Sequence, residues 1–308
     1  MLDFQKYNFM NKIKVSVGIS AYNEELNIKQ VLTGILLQTQ NSWILEEVLV
    51  YCDGCSDRTA EIAKSIGDSK VKVVEFSSRQ GKAFRVGELC HNFSGDVLVM
   101  FDGDIELANN QVIENLVRTS SKDSQVMLVG GNSQPLTPTT FFQRATFSTF
   151  KVFERSRKEL HGGNNIFGCT GHCILVKKEL ARSLNFPNVM NEDDYFYFSC
   201  LSNGYKFKHA SDAVVYYKLP GNLEDYLRQT FRSDPKAVTL NFRDYFGDLV
   251  NKEYRRSFNF MLCSVWREFF VNPFGVMYMV IINLFCIPFF PLVSKRYKLN
   301  WFTAQSTK

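Results

Sequence analysis

From Lys14 to Ser20 polar and apolar positions alternate, with Val15, Val17 and Ile19 on one side, and this period of two predicts a first strand. After Ala21-Tyr22-Asn23-Glu24-Glu25 the period changes, and Ile28, Val31, Leu32, Ile35 and Leu36 recur at helical spacing. The same exchange then repeats. Glu47 to Tyr51 reads as a second strand, and Ala60, Ile62, Ala63 and Ile66 mark a helix with Ser56 as its candidate N-cap. Val71 to Phe76 reads as a third strand, and Arg79-Gln80-Gly81-Lys82-Ala83 opens the next helix. Val97-Leu98-Val99-Met100-Phe101 is an unbroken apolar run, as expected of a strand buried on both faces, and it ends in Asp102-Gly103-Asp104. Alternating strands and helices imply right-handed crossovers, hence an α/β fold with a mostly parallel central sheet and helices on both faces.

Past Gly131 the pattern loosens. Val126 to Gly131 predicts a fifth strand, and residues 139–160 a helix whose Phe141, Phe142, Phe147, Phe150 and Phe153 are read as core in preference to an acceptor groove. His161 to His172 is Gly-rich and aperiodic, a set of turns, and Cys173 to Val176 is strand-like. Glu192, Asp193 and Asp194 precede a helix bearing Phe196, Phe198, Cys200 and Leu201. A helix N-terminus accounts for one acid better than for three. No charged residue occurs from Phe269 to Val293, 25 positions, long enough to span a bilayer; Asn272-Pro273, Asn283, Pro288 and Pro291 admit a broken, re-entrant or interfacial arrangement instead. The expected divisions are an extension at 1–13, halves at 14–131 and 132–245, and a basic, hydrophobic, membrane-associated helical region at 246–308.

Charge sharpens the last of these. The net charge of +5 is mild, but Lys252, Arg255, Arg256, Arg267, Lys295, Arg296 and Lys298 crowd the C-terminal fifth among greasy residues, which favours an anionic lipid surface and disfavours nucleic acid. Eight cysteines at irregular spacings, with no signal-peptide core in the first fourteen residues, point to the cytosolic side of that membrane and to free thiols. A zinc site from Cys52, Cys55, Cys169, His172 and Cys173 is the weaker alternative, because the second group lacks the usual ligand spacing.

In a parallel sheet the loops after all the strands open on one edge, where ligands bind. Asp102 and Asp104 lie there with no Lys or Arg between residues 86 and 117 to pair them, and oxygen-only ligation suits Mg²⁺ or Mn²⁺. Asp53 is placed to meet a base or ribose, Lys82 a diphosphate, and Asp104 the bridging metal. No GxGxxG or GxxxxGK[ST] element falls at these turns, which excludes the usual dinucleotide oxidoreductases and P-loop NTPases.

At these residues the chain resembles the family 2 glycosyltransferases of GT-A fold. Ala21-Tyr22-Asn23-Glu24-Glu25 matches the first-strand signature, Asp53-Gly54-Cys55-Ser56-Asp57-Arg58-Thr59 the DGxSxDxT loop, Gly81-Lys82-Ala83 a third segment, and Asp102-Gly103-Asp104 the DxD. Cys52 stands where many members have Asp, and Ser20 where many have Pro. The resemblance implies that Ala21, Tyr22, Asn23, Glu24, Asp53, Lys82, Asp102 and Gly103 hold a nucleotide-diphosphate sugar and Asp104 the metal. Glu192-Asp193 resembles the ED motif of inverting, membrane-associated members such as cellulose, hyaluronan and chitin synthases, which makes Asp193 the general base. Gln229-Thr230-Phe231-Arg232 resembles QxxRW, with Ser233 in place of Trp, and implies that Gln229 and Arg232 steady donor and leaving group. The expected activity is inverting transfer from a UDP-sugar to a hydroxyl of a lipid-linked or glycan acceptor, one or a few sugars at a time. A nucleotidyltransferase and an inactive membrane-bound scaffold are the competing readings.

Overall fold

The computed structural model describes residues 12–187, 191–232, 242–255 and 257–286, without the side chains of residues 156, 228, 230–232 and 286. Eight strands form one sheet: β1 (Ile13–Ala21), β2 (Trp43–Asp53), β3 (Val71–Phe76), β4 (Val97–Asp102), β5 (Ile105–Leu107), β6 (Val126–Pro135), β7 (Cys173–Lys177) and β8 (Lys206–Tyr217), in the order β3-β2-β1-β4-β7-β6-β8-β5. The first four are parallel neighbours, as the alternating pattern requires. Val15, Val17 and Ile19 of β1 are fully buried on one side, and Leu98 and Met100 of β4 are buried on the other. Apolar side chains thus leave water on both faces of the sheet, roughly 25 cal/mol for each Å² covered.

The second half makes the sheet mixed, with four of its seven pairings parallel. β7 runs antiparallel to both β4 and β6, β8 returns parallel to β6, and the three-residue β5 pairs antiparallel with β8. Alternation marks a strand but carries no information about its direction. The boundary expected at residue 131 falls inside β6, so both halves share one sheet.

The helices that matter below are α1 (Ile28–Leu36), α2 (Thr59–Lys64), α3 (Lys82–Asn92), α4 (Val112–Ser121), α5 (Phe141–Glu159), α6 (Lys178–Ser183), α7 (Glu192–Ser202), α8 (Leu223–Arg232), α9 (Asp248–Tyr254), α10 (Phe258–Val271) and α11 (Pro273–Cys286). Of the aromatic residues on α5, Phe142 meets Tyr226 and Tyr278 and Phe153 meets Phe167, while Phe141 is exposed. The uncharged run beginning at Phe269 is not one helix. Asn272 ends α10 and caps α11, its Oδ1 accepting the Gly275 N–H at 3.1 Å, and Pro273 takes the first helical position, where its missing N–H costs nothing. Each helix is 14 residues, about 21 Å at 1.5 Å per residue against the roughly 30 Å of a bilayer core. Among the described residues no helix is long and apolar enough to cross a membrane. Pro288, Pro291 and Val293 lie outside the described residues.

Candidate active site

Two loops at the C-terminal edge of the sheet are laced together. The Asn23 N–H donates to Cys55 Sγ (3.4 Å), Asn23 Oδ1 accepts the Ser56 N–H (2.9 Å), the Glu24 N–H donates to Thr59 Oγ1 (2.7 Å) and the Glu25 N–H to Asp57 Oδ2 (3.0 Å). The polar residues after β1 thus find their partners in the DGxSxDxT loop, which explains why both stretches carry short hydrogen-bonding side chains. Ser56 is not the N-cap of α2; its groups meet Asn23, and Asp57 Oδ1 accepts the Thr59 N–H. Glu24 also approaches the next loop: a Cβ on Gly103 would lie 2.9 Å from Glu24 Cγ, so a side chain at 103 would displace Glu24. Arg79 covers the Tyr22 ring, 3.8 Å from its centre.

Asp53 is buried and its carboxylate is engaged by protein. Oδ1 accepts the Gln80 N–H (2.9 Å) and Arg85 Nε (2.7 Å), and Oδ2 accepts the Gly81 N–H (2.7 Å). It fastens the loop that begins α3, and α3 begins with Lys82. The Lys82 ammonium bridges Asp102 Oδ1 (2.5 Å) and Glu192 Oε1 (2.6 Å), joining the end of β4 to the start of α7. Burial alone would lower the Lys82 pKa; the fields of Asp102 and Glu192 outweigh it and hold the ammonium above the usual lysine range.

The three acids of α7 take different roles. Glu192 is buried, with Oε1 on Lys82 and no hydrogen-bond partner for Oε2 among the described residues. Asp194 turns inward, accepts from Asn191 Nδ2 at 2.8 Å and is pushed up to about 6 by burial, against a lowering hydrogen bond from Tyr254. Half-buried Asp193 remains toward the edge: Oδ1 accepts the Asp194 N–H and Oδ2 the Gly171 N–H, both at 3.0 Å. Burial, then the charges of Asp194 and Glu192, raise its pKa well above the carboxylate range, with Lys82 opposing. This is a carboxyl suited to receiving a proton.

β7 brings the Gly-rich turns to this point, since its pairing with β4 sets the His172 carbonyl opposite the Asp102 N–H (3.4 Å). His172 itself stacks on Tyr217, ring centres 4.4 Å apart. A Cβ on Gly171 would lie 2.8 Å from Glu192 Oε1 and 2.9 Å from Lys82 Nζ. Gly171→Ala is therefore expected to shift the ends of Lys82 and Glu192 without breaking their bridge and to reduce kcat roughly ten- to hundredfold, as small misplacements of reacting groups do, with little change in melting temperature. A wild-type kcat would show that the loop tolerates the methyl group. Gly171, Arg85 and Tyr254 are site residues that reasoning from sequence missed. Gln229 is half-buried on α8, and the Arg232 side chain lies outside the described residues. Among the described residues no group of three or more His, Cys, Asp or Glu side chains is placed to hold a metal, so the cysteines and His172 do not assemble into a ligand set there.

A sheet edge carrying an acid-terminated strand, an interloop lysine and a helix-start acid pair is the arrangement that the resemblance to GT-A transferases implies. The glycosyl transferase family 2 model matches residues 16–184, and the chain belongs to that family; it is a glycosyltransferase. An uncharacterized glycosyltransferase of Haemophilus influenzae is 27% identical over 213 residues, 67% of this chain and 77% of that protein. The poly-beta-1,6-N-acetyl-D-glucosamine synthase of Staphylococcus aureus is 20% identical over 242 residues, and the match spans 57% of its length. Among solved structures, the mannosyltransferase PcManGT from Pyrobaculum calidifontis, in complex with GDP-Man and Mn²⁺, has TM-score 0.58 at 19% identity, covering 92% of this chain and 79% of that one. Glucosyl-3-phosphoglycerate synthase from Mycobacterium tuberculosis, with Mn²⁺ and UDP-Glc, has TM-score 0.54 at 17% identity, covering 78% and 82%. Family membership sets aside the nucleotidyltransferase reading.

Proposed function

We propose that this chain is an inverting, metal-dependent glycosyltransferase that moves a sugar from a nucleotide-diphosphate donor, a UDP-sugar, to a hydroxyl of a lipid-linked or glycan acceptor at the cytoplasmic face of a membrane. The observation that carries this reading is the convergence of Lys82, Asp102, Glu192 and Asp193 at one sheet edge. Asp193 takes the acceptor proton as its oxygen attacks the anomeric carbon, and the carbon–diphosphate bond breaks on the opposite side. Lys82 fixes Asp102 and Glu192 and supplies positive charge beside the departing diphosphate; Gln229 and Arg232 are assigned to the same end of the donor by their QxxR spacing.

Asp102 and Asp104 flank Gly103 as hard oxygen donors, and two carboxylates with the remaining positions left to phosphates and water is the set Mg²⁺ or Mn²⁺ prefers. The ion would offset charge on the diphosphate. Solved relatives complexed with GDP-Man and Mn²⁺ or with UDP-Glc and Mn²⁺ support such a donor and metal. Exposed apolar side chains on α10 and α11 support the membrane, and the cysteine spacing its cytosolic side.

The test is a panel of nucleotide-sugars with Mn²⁺ or Mg²⁺, reading nucleoside diphosphate release and product anomer. One donor is expected to turn over, with inverted configuration, and both chelation and Asp104→Asn to cost at least about a hundredfold. Retained configuration, or turnover indifferent to chelator, would overturn the mechanism.

A further inference from the structure

The α10–α11 hairpin packs against α5, and between them opens a cavity of about 560 Å³. α5 lines it with Arg144, Lys151 and Arg155, placed by helical spacing along one flank, and the hairpin contributes one carboxylate, Glu268. Lys151 pairs with Glu154 at 2.9 Å, and Arg155 donates to Glu268 at 3.4 Å and to the Ser264 carbonyl at 2.5 Å. Arg144 is exposed and has no carboxylate partner among the described residues. The wall therefore carries more positive charge than its own acids offset.

The outward face of the hairpin is greasy. Phe258, Leu262, Trp266 and Phe270 recur every fourth residue of α10 and are 45–79% exposed, and Phe274, Ile281 and Phe285 continue the surface on α11. So many large apolar groups facing outward mark an interaction surface, not ordinary scatter. Helices whose described residues do not reach the length of a span, with Trp and Phe on the open face and cations beside them, suit a position in the interfacial plane of a bilayer.

We propose that the Arg144–Lys151–Arg155 cavity binds the phosphate of a membrane lipid head group, while the exposed face of the hairpin lies among the acyl chains of the same leaflet. A phosphate with attached aliphatic chains matches both parts of the surface at once. A soluble phosphate ester matches only the cavity. The proposal rests on the membrane reading above and is independent of the catalytic one.

The test uses the purified full-length protein in flotation with phosphatidylcholine vesicles, plain or doped with phosphatidic acid. Preference for the anionic vesicles is expected, falling roughly fivefold for each charge removed by Arg144→Gln and Lys151→Gln, the effect of one basic residue at a charged membrane surface. Lys29→Gln, exposed on α1, should cost less than either. Phe270→Ser with Phe274→Ser should weaken binding to both vesicles alike without lowering the melting temperature. Equal losses in Lys29→Gln and Arg144→Gln, or no anionic preference, would overturn the proposal. Displacement by inorganic phosphate without vesicle preference would assign the cavity to a soluble ester and also overturn it. So would self-association, abolished by Phe270→Ser, in protein that does not float. Donor hydrolysis in detergent, unchanged in Arg144→Gln, keeps failure here distinct from failure of the transferase reading.

Discussion

Asp193→Asn is expected to lose two to four orders of magnitude in turnover while remaining folded, with a melting temperature that depends less on pH than the wild type's. The amide keeps the carboxylate's shape, but its one oxygen can accept only one of the Gly171 and Asp194 N–H bonds and it cannot take a proton, and a positioned general base contributes about 10²–10⁴-fold. The stability half follows from linkage. A carboxyl whose folded pKa lies above its unfolded value holds its proton longer in the folded state, so stability falls as pH climbs from the unfolded pKa to the folded one. Asp193 and Asp194 both do this, Asp194 completing its loss near its pKa of about 6. Asn at 193 removes one such loss, and a wild-type melting curve that declines from pH ~4 upward should decline less in the variant. In the free wild-type enzyme the acidic limb of kcat/KM should lie above the ordinary carboxylate range. Near-normal turnover in Asp193→Asn would remove Asp193 from the mechanism.

Lys82→Met should cost about 3–5 kcal/mol of stability and nearly all activity, because breaking a buried ion pair strands its partners. Here two are stranded: Asp102 and Glu192 would face each other, and Glu192 has no described partner for its other oxygen. The wild-type lysine, held above its ordinary pKa, contributes stability that is complete below that ordinary value and is lost only as pH rises through the folded one, in strong alkali. Across the physiological range the deficit of the variant should thus be level. It should shrink in acid, where the stranded carboxyls take up protons. Adding Glu192→Gln should restore part of the stability and none of the activity, and urea unfolding of the four proteins in this cycle gives the coupling directly. A fully additive cycle would mean that the bridge does not hold the site.

Strands with a continuous or alternating apolar pattern were legible before any coordinates, as were the loops that reach the sheet edge. Harder to read was anything that depends on distant partners. Asp53 is read from sequence as a ligand residue; its carboxylate also accepts the Gln80 and Gly81 N–H groups and Arg85 Nε directly, and the clue to that was an arginine on the buried side of α3 beside Val86, Leu89 and Cys90. β5 is three residues long, too short for any period to show. Gly171 lay inside a stretch recognised only as aperiodic; its importance comes from what it touches. The uncharged run left spanning and broken arrangements open because its composition is uniform, and Asn272-Pro273, the sequence feature that admitted a break, is a cap followed by a first helical residue.

The antiparallel insertion of β7 has a bearing on how the chain is made. β4 is flanked on one side by β1, which is synthesised before it, and on the other by β7, which begins only at Cys173. For the time the ribosome takes to translate the intervening stretch, the nascent donor-side sheet exposes the unpaired backbone of Val97 to Phe101, an apolar edge of the kind that recruits other chains. Slow passage through that interval would leave the edge open longer, and a chaperone that covers it would be released when Cys173–Lys177 emerges and closes the sheet.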